Sequence, residues 1–270
     1  MPRTRVRGRA EMRRRSLETF LPPVVAFVLV MGGWEALVRL LKMPAYLLPG
    51  PLAIFSAIEQ NANLLAPDIW VTVQEAFGGF LLGNSVGILV AVVFAHFRIV
   101  ERGLLPYAIV AQTIPIVAIA PLVILWAGQG MFSKVIISAI MCLFPSIVNT
   151  LRGLKSVDPS ARDLMRTYAA TPAQVFFKLR LYAALPYIFS ALKITSGLSV
   201  IGAIVGEYLG ADKGIGFAIV VYSGRLETDL MFAAVVASTI TGLGFFLTVS
   251  TVEVMCLRGW HESTLTPQEE

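Results

Sequence analysis

The sequence is short of charge, of imidazole and of thiol. Only 14% of its 270 residues are Asp, Glu, Lys or Arg, where a soluble domain carries about 25%. A water-exposed surface for a chain of this size needs more charge than that, so a water-soluble globule is excluded. Two histidines, His96 and His261, lie far apart in sequence, which argues against a histidine-based metal site. The two cysteines, Cys142 and Cys256, sit in apolar runs and form no CxxC pair, so no disulfide framework is indicated. There is no GxxxxGK[ST] stretch and no Gly-Lys dipeptide, which excludes nucleotide hydrolysis by the usual phosphate loop. No internal repeat and no HExxH motif occurs.

What is present is apolar length. Hydrophobic residues make up 56% of the chain, and the mean hydropathy is +0.75. A bilayer core about 30 Å thick takes about 20 helical residues. Six stretches qualify: Leu21–Leu41, Val71–Phe94, Leu104–Trp126, Val135–Leu151, Leu185–Leu209 and Leu230–Leu257. An all-α membrane protein of about six transmembrane helices is therefore expected. It divides into a basic arm (1–18), a transmembrane domain (19–257) containing a long loop (152–184), and a short tail (258–270). The first apolar stretch runs on to Leu41 without a small-residue cleavage pattern, and so reads as a retained span, not a secretory signal. Pro115, Pro121 and Pro145 interrupt spans, which a packed bundle tolerates.

Orientation follows from lysine and arginine. With the amino terminus inside, the inner segments hold the arginines of the arm, Arg98, Arg102, Arg258 and the cations of the long loop. The outer segments hold only Arg39, Lys42, Lys134, Lys213 and Arg225. Both termini are therefore expected in the cytoplasm of a bacterial cell, with the arm as a topology anchor and not a nucleic-acid binder. In the outer segment after Lys42, Leu48-Pro49-Gly50-Pro51 marks a turn, and Leu52–Ile58 reads as an amphipathic surface helix. The outer segment Gly210–Asp229 has an apolar centre able to dip into the bundle.

The inner loop Arg152–Ala184 is too long for a mere connection and carries its own helix signals. Asp158-Pro159 reads as a cap followed by a first-turn proline. Ala161, Leu164, Met165 and Tyr168 then form one apolar stripe, with Arg162, Asp163 and Arg166 elsewhere on the wheel. Thr171-Pro172-Ala173-Gln174 reads as a capping box, followed by Val175, Phe176 and Leu179. Two short helices, Pro159–Ala169 and Pro172–Leu181, meet at Ala170-Thr171. Such an elbow has the shape to enter a groove on a partner, though the same patterning also serves a loop packed under its own bundle.

Ionisable groups within the apolar runs are costly and become functional candidates. They are Glu35, Glu75, Lys193, Glu207 and Glu253. Glu207, flanked by Gly206 and Gly210, is a candidate for an outer gate, with an internal ion pair or hydrogen bond as the alternative. Gln112, Thr113 and Pro115 in the third span and Ser199 in the fifth are further candidates for a translocation pathway, each also able to serve as interhelical glue.

The loop resembles the coupling loop of type I ABC importer permeases, which reads Glu-Ala-Ala, three residues, Gly, nine residues, Ile, one residue, Leu-Pro. Here Asp163-Leu164-Met165, Ala169 and Leu179-Arg180-Leu181 match its spacing. Asp163 replaces the glutamate, Ala169 the glycine, and Tyr182 the proline. Ala183-Ala184-Leu185-Pro186, Gln112–Leu122 and Val205–Ala211 resemble the nitrate/sulfonate/taurine branch, and look most like its permeases for thiamine-precursor pyrimidines and riboflavin. The resemblance runs from about Leu47 to Leu257. It implies the permease fold, with coupling helices between the fourth and fifth spans. It implies ATPase contact through Asp163, Leu164, Met165, Arg166, Ala169, Ala170, Thr171, Pro172, Leu179 and Leu181. The implied partners are a second permease subunit, as a homodimer, two ATPase subunits and a periplasmic or lipid-anchored binding protein, with membrane lipid around them. ATP and Mg would sit on the ATPase, with no cofactor on this chain. The implied cargo is a vitamin precursor or small heterocycle, then a sulfonate, taurine or nitrate-type anion. A self-sufficient secondary transporter is the alternative, but related halves and midplane charges are missing. An intramembrane enzyme would need catalytic pairs within the spans, and none appears.

Overall fold

A computed structural model describes the backbone of residues 4–257 and the side chains from Leu21 to Leu257. The side chains of the basic arm, the tail from Arg258 and His261 lie outside the described residues. Eleven helices follow in order among these: α1 (Thr4–Leu40), α2 (Pro51–Gln60), α3 (Ala62–His96), α4 (Arg98–Ala111), α5 (Ile116–Ala127), α6 (Met131–Lys155), α7 (Pro159–Thr167), α8 (Pro172–Val175), α9 (Leu181–Gly210), α10 (Ile215–Gly224) and α11 (Thr228–Leu257). A π-helical turn, Phe176–Arg180, joins α8 to α9. No strand occurs among the described residues. Lipid offers no partner for backbone N–H and C=O groups, so spans must satisfy them internally, as helices do.

Five helices are long and apolar enough to cross a bilayer: α1 from Leu21, α3, α6, α9 together with α8 and its π turn, and α11. The sixth expected span is not one rod. α4 and α5 are bent by 100° across a four-residue break at Gln112–Pro115. Proline at 115 supplies no N–H and excludes the helical register before it. The chain turns with Thr113 and Ile114 N–H donating to the carbonyls of Val110 and Ala111, 3.0 and 3.3 Å. The third apolar stretch, Leu104–Trp126, which Pro115 interrupts in the sequence, is this broken pair. The fourth apolar stretch, the shortest in sequence, becomes α6, whose polar face is largely buried.

The chain divides into two compact units, one of residues up to 62 with 222–233, the other of 63–221 with 234 onward. In the first, α2 forms where the sequence placed its surface helix, burying Ile54 and Ala57 while Leu52 and Phe55 stay exposed. Gly50, at its N-cap, has no side chain to offer the orphan amides. Glu35 of α1 does this instead. Its Oε2 accepts from the Leu52 N–H at 3.2 Å and its Oε1 from Arg39 Nε at 2.6 Å. A Cβ at Gly50 would collide with that carboxylate.

The second unit is organised around α6, which packs most extensively on α9. Close approach rests on small residues. Gly79, Gly83 and Gly87 of α3 recur every four positions, and a Cβ on each would strike Ser138, Ala139 and Ser146 of α6. Gly202 of α9 meets Ser138 from the other side, where an added Cβ would lie 2.6 Å from its Cα. Small residues allow such backbone contact, which drives helix association where no hydrophobic effect operates. Hydroxyls complete the seam. Ser138 Oγ donates to the Ser199 carbonyl at 2.8 Å, and Thr195 Oγ1 to Asn84 Oδ1 at 3.0 Å.

Candidate functional site

The elbow forms at the expected place. Asp158 Oδ1 accepts from the Ser160 N–H at 2.8 Å and opens α7. Thr171 and Gln174 make the reciprocal capping box at 3.3 and 2.9 Å. The bend between them is a helix C-cap. Ala169 N–H donates to the Arg166 carbonyl at 2.9 Å and Ala170 N–H to the Met165 carbonyl at 3.0 Å, the paired bonds of a Schellman motif. The motif needs a left-handed residue at its turn, and Ala169 has φ +48°. That is the position at which the resembled family carries glycine. Alanine holds the same bend against a steric cost of about 1–2 kcal/mol.

The second limb is not the separate helix Pro172–Leu181 read from the sequence. α8 runs through the π turn into α9 without a break, a continuous 39-residue path to Gly210. The loop of residues 152–184 is shortened at both ends accordingly, since α6 extends to Lys155 and α9 begins at Leu181. The capping box is therefore continuous with a helix long enough to cross a membrane. The apolar stripe of α7 also divides. Ala161 and Met165 are half-buried, whereas Leu164 and Tyr168 are 56% and 75% exposed. Thr171 and Pro172 are exposed, Ala170, Leu179 and Leu181 half-buried. Asp163 pairs with Arg166 at 3.3 Å, both exposed. Behind the elbow, the His96 ring at the end of α3 lies 5.0 Å from the Phe176 ring of the π turn.

Of the pathway candidates, Gln112, Thr113 and Pro115 lie together at the break and line a cleft of about 460 Å³, with Ile116, Met141 and Phe144 around them. Thr113 Oγ1 donates to the Val110 carbonyl at 2.7 Å. Ser199 is not part of that cleft. It is fully buried, with its hydroxyl donated to the Ser196 carbonyl at 2.8 Å and its carbonyl taken by Ser138.

Glu207 is also buried, at the far end of α9, and fastens the start of α10 there. Its Oε1 accepts from Thr72 Oγ1 and its Oε2 from the Gly216 N–H, both at 2.6 Å. Thr72 in turn accepts from the Ile215 N–H at 2.9 Å, and Asp68 Oδ1 from the Gly214 N–H at 2.9 Å. Three consecutive amides at the start of α10 are thereby met by side chains of α3 and α9. Gly214 has φ +106°, and a Cβ there would collide with the Glu207 carboxylate. Lys134, read from the sequence as an outer-loop cation, is buried beside this cluster. Its Nζ donates to the Gly210 carbonyl, where α9 ends, at 2.5 Å, and to the Gln129 carbonyl. A cation at a helix C-terminus is favourably placed. Glu75 is buried one turn along α3 from Thr72, with no partner for its Oε2. Near the middle of α9, Lys193 forms an ion pair with Glu253 of α11 at 2.7 Å. Thr72, Asp68, Lys134 and the Gly214–Gly216 amides are functional groups that the sequence pattern does not single out. Lys134 in an apolar helix is the one visible signal.

Comparison with known proteins agrees with this architecture. Residues 83–257 match the family described as the binding-protein-dependent transport system inner membrane component. A probable ABC transporter permease protein of Haemophilus influenzae is 35% identical over 79% of this chain and 87% of its own length. The formylaminopyrimidine transport permease protein ThiX of Halalkalibacterium halodurans is 34% identical over 88% of this chain and 95% of its own. The riboflavin transport system permease protein RibX of Chloroflexus aurantiacus is 30% identical over 97% of this chain and 98% of its own. A broken all-helical bundle with a capped elbow and this extent of likeness lead to one assignment: the chain belongs to the binding-protein-dependent transport system inner membrane component family, as a multi-pass permease of the type I ABC importer class.

Proposed function

We propose that the chain forms the translocation pathway of an ATP-driven importer and receives its driving force through the elbow Asp158–Leu181. The observation that carries this reading is the elbow itself. Its two limbs are capped, its exposed face presents Leu164, Tyr168 and Phe177, and its second limb is continuous with α9. Apolar side chains on a capped helical corner fit a groove on another protein. The partner is a pair of ATPase subunits that hold ATP and Mg, because this chain has no phosphate loop. Closure of the ATPases moves α7 and α8, and α9 follows as a rigid body. The excess of inner cations puts the elbow and both termini in the cytoplasm of a bacterial cell.

Two copies of the chain enclose the pathway, and a periplasmic or lipid-anchored binding protein delivers the cargo. The cleft at Gln112, Thr113 and Pro115 supplies polar groups along the route. Glu207 holds the start of α10 in place instead of touching cargo. Two of these relatives, named for transport of a formylaminopyrimidine and of riboflavin, favour a small heterocycle over a sulfonate or nitrate-type anion. The test is co-purification of the transporter's own ATPase with a Leu164→Asp, Tyr168→Asp double variant. The variant is expected to insert normally and lose at least ~10-fold in ATPase association, equivalent to about 1.4 kcal/mol. Undiminished association rejects the elbow as the dock.

A further inference from the structure

Two arginines between the limbs of the elbow have no place in this docking scheme. Arg162 belongs to α7 and Arg180 to the π turn, and both are half-buried. The Nε of each is shut off from solvent with no hydrogen-bond acceptor. Their charges lie near enough to repel one another. The described carboxylates of the region are engaged elsewhere. Asp163 pairs with Arg166, Asp158 caps α7, and Glu101 pairs with Lys155. Among the described residues neither Arg162 nor Arg180 has a salt-bridge partner. Orphaned guanidinium N–H groups beside a like charge are unfavourable until an anion completes them. The arginine fork suits a phosphate or carboxylate oxygen.

The depth of the pair selects between those anions. Arg180 immediately precedes α9 and lies five residues before Leu185, the start of the fifth apolar stretch read from the sequence. At 1.5 Å per residue this puts it about 7–8 Å beyond the hydrocarbon, within the headgroup layer. Tyr182 and Tyr187, 43% and 40% exposed, follow two and seven positions further along α9, as tyrosines do where a span meets the interface. Arg162 lies two positions from the exposed Leu164, hence on the other side of α7 from the face offered for docking.

We propose that Arg162 and Arg180 form a binding site for the phosphate headgroup of an anionic phospholipid in the leaflet that meets the elbow. The lipid bridges α7 to the root of α9 and neutralises the pair. The inference goes beyond the docking reading and needs only the span assignment.

The assembled transporter is purified as wild type, as the single variants Arg162→Gln and Arg180→Gln, as the double Gln variant, and as the double Lys variant. Each is placed in nanodiscs of phosphatidylcholine with or without phosphatidylglycerol. Native mass spectrometry reads retained phosphatidylglycerol, thermal unfolding reads its stabilising effect, and co-purification reads the ATPase. The expected result is retention and a higher Tm in phosphatidylglycerol for the wild type. Retention is at least ~10-fold weaker in the double Gln variant, intermediate in the single variants, and partly restored by lysine. ATPase association is expected to be unchanged in phosphatidylglycerol-free discs. Equal phosphatidylglycerol retention by wild type and double Gln variant overturns the proposal, and equal retention by both single variants overturns it where the double variant does not fold. Unchanged lipid retention with loss of the ATPase also overturns it, by identifying an acidic side chain of the ATPase as the occupant. Loss of ATPase from the Leu164 and Tyr168 variant alone bears on the docking reading and leaves this one standing.

Discussion

The two ends of α9 differ in how completely the chain satisfies itself. At the Glu207 end, three consecutive backbone amides, a threonine hydroxyl and a lysine ammonium all find partners on α3, α5–α6 and α9. At the elbow end, the helix termini are capped, yet Leu164, Tyr168 and Phe177 are exposed and two arginine N–H groups have no acceptor. Apart from Glu75 Oε2, one end is satisfied within the chain, whereas the other has surface and charge left for something else. The same helix thus joins an end held by side chains of its own chain to an end with exposed apolar surface.

The comparison breaks if the anchor proves dispensable. Glu207→Ala removes the acceptor from Thr72 and from the Gly216 N–H, two buried donors at about 1–3 kcal/mol each. A loss of roughly 2–6 kcal/mol is expected in thermal or denaturant unfolding in detergent, with Glu207→Gln, which keeps one acceptor oxygen, losing about half. Wild-type stability in Glu207→Ala would show that the cluster is not closed. Next in size is Gly214→Ala. It forces a side chain into φ +106° and against the Glu207 carboxylate. Destabilisation of about 2–3 kcal/mol is expected, measured the same way. The elbow double variant Leu164→Asp, Tyr168→Asp should show the inverse pattern. Both side chains are exposed, so unfolding should shift by less than about 0.5 kcal/mol, while ATPase association falls. The smallest effect belongs to Ala169→Gly. Relief of the left-handed alanine is worth about 1–2 kcal/mol, and the added freedom of the unfolded glycine takes back about 0.4–1. A net gain of about 0.5–1 kcal/mol is expected, read as a slightly higher Tm with transport retained. A loss would mean that the bend in the assembled transporter differs from the Schellman geometry.

Much of this was legible in residues that act locally. Asp158-Pro159 and Thr171-x-x-Gln174 announce helix starts because a cap is satisfied within three residues of itself. Spans are visible as apolar length because the bilayer has a fixed thickness. The 100° break was half-legible. Pro115 excludes regular helix, but whether a span kinks or folds back depends on what packs against it. The α8–α9 continuity was hidden, since a π turn leaves no local mark in Phe176–Arg180. Glu207 stood out as a charge in an apolar run, but its partners Thr72 and Gly216 come from separate helices.

The amino-acid sequence by itself determined that this is a helical membrane protein with a capped elbow, because hydrophobic length, proline and cap chemistry act over a few neighbouring residues. Only the tertiary structure decided that Glu207 is an anchor, that Ser199 belongs to a seam, and that Ala169 carries the left-handed turn. Those roles are set by contacts between residues up to 135 positions apart and by a backbone angle that alanine does not announce.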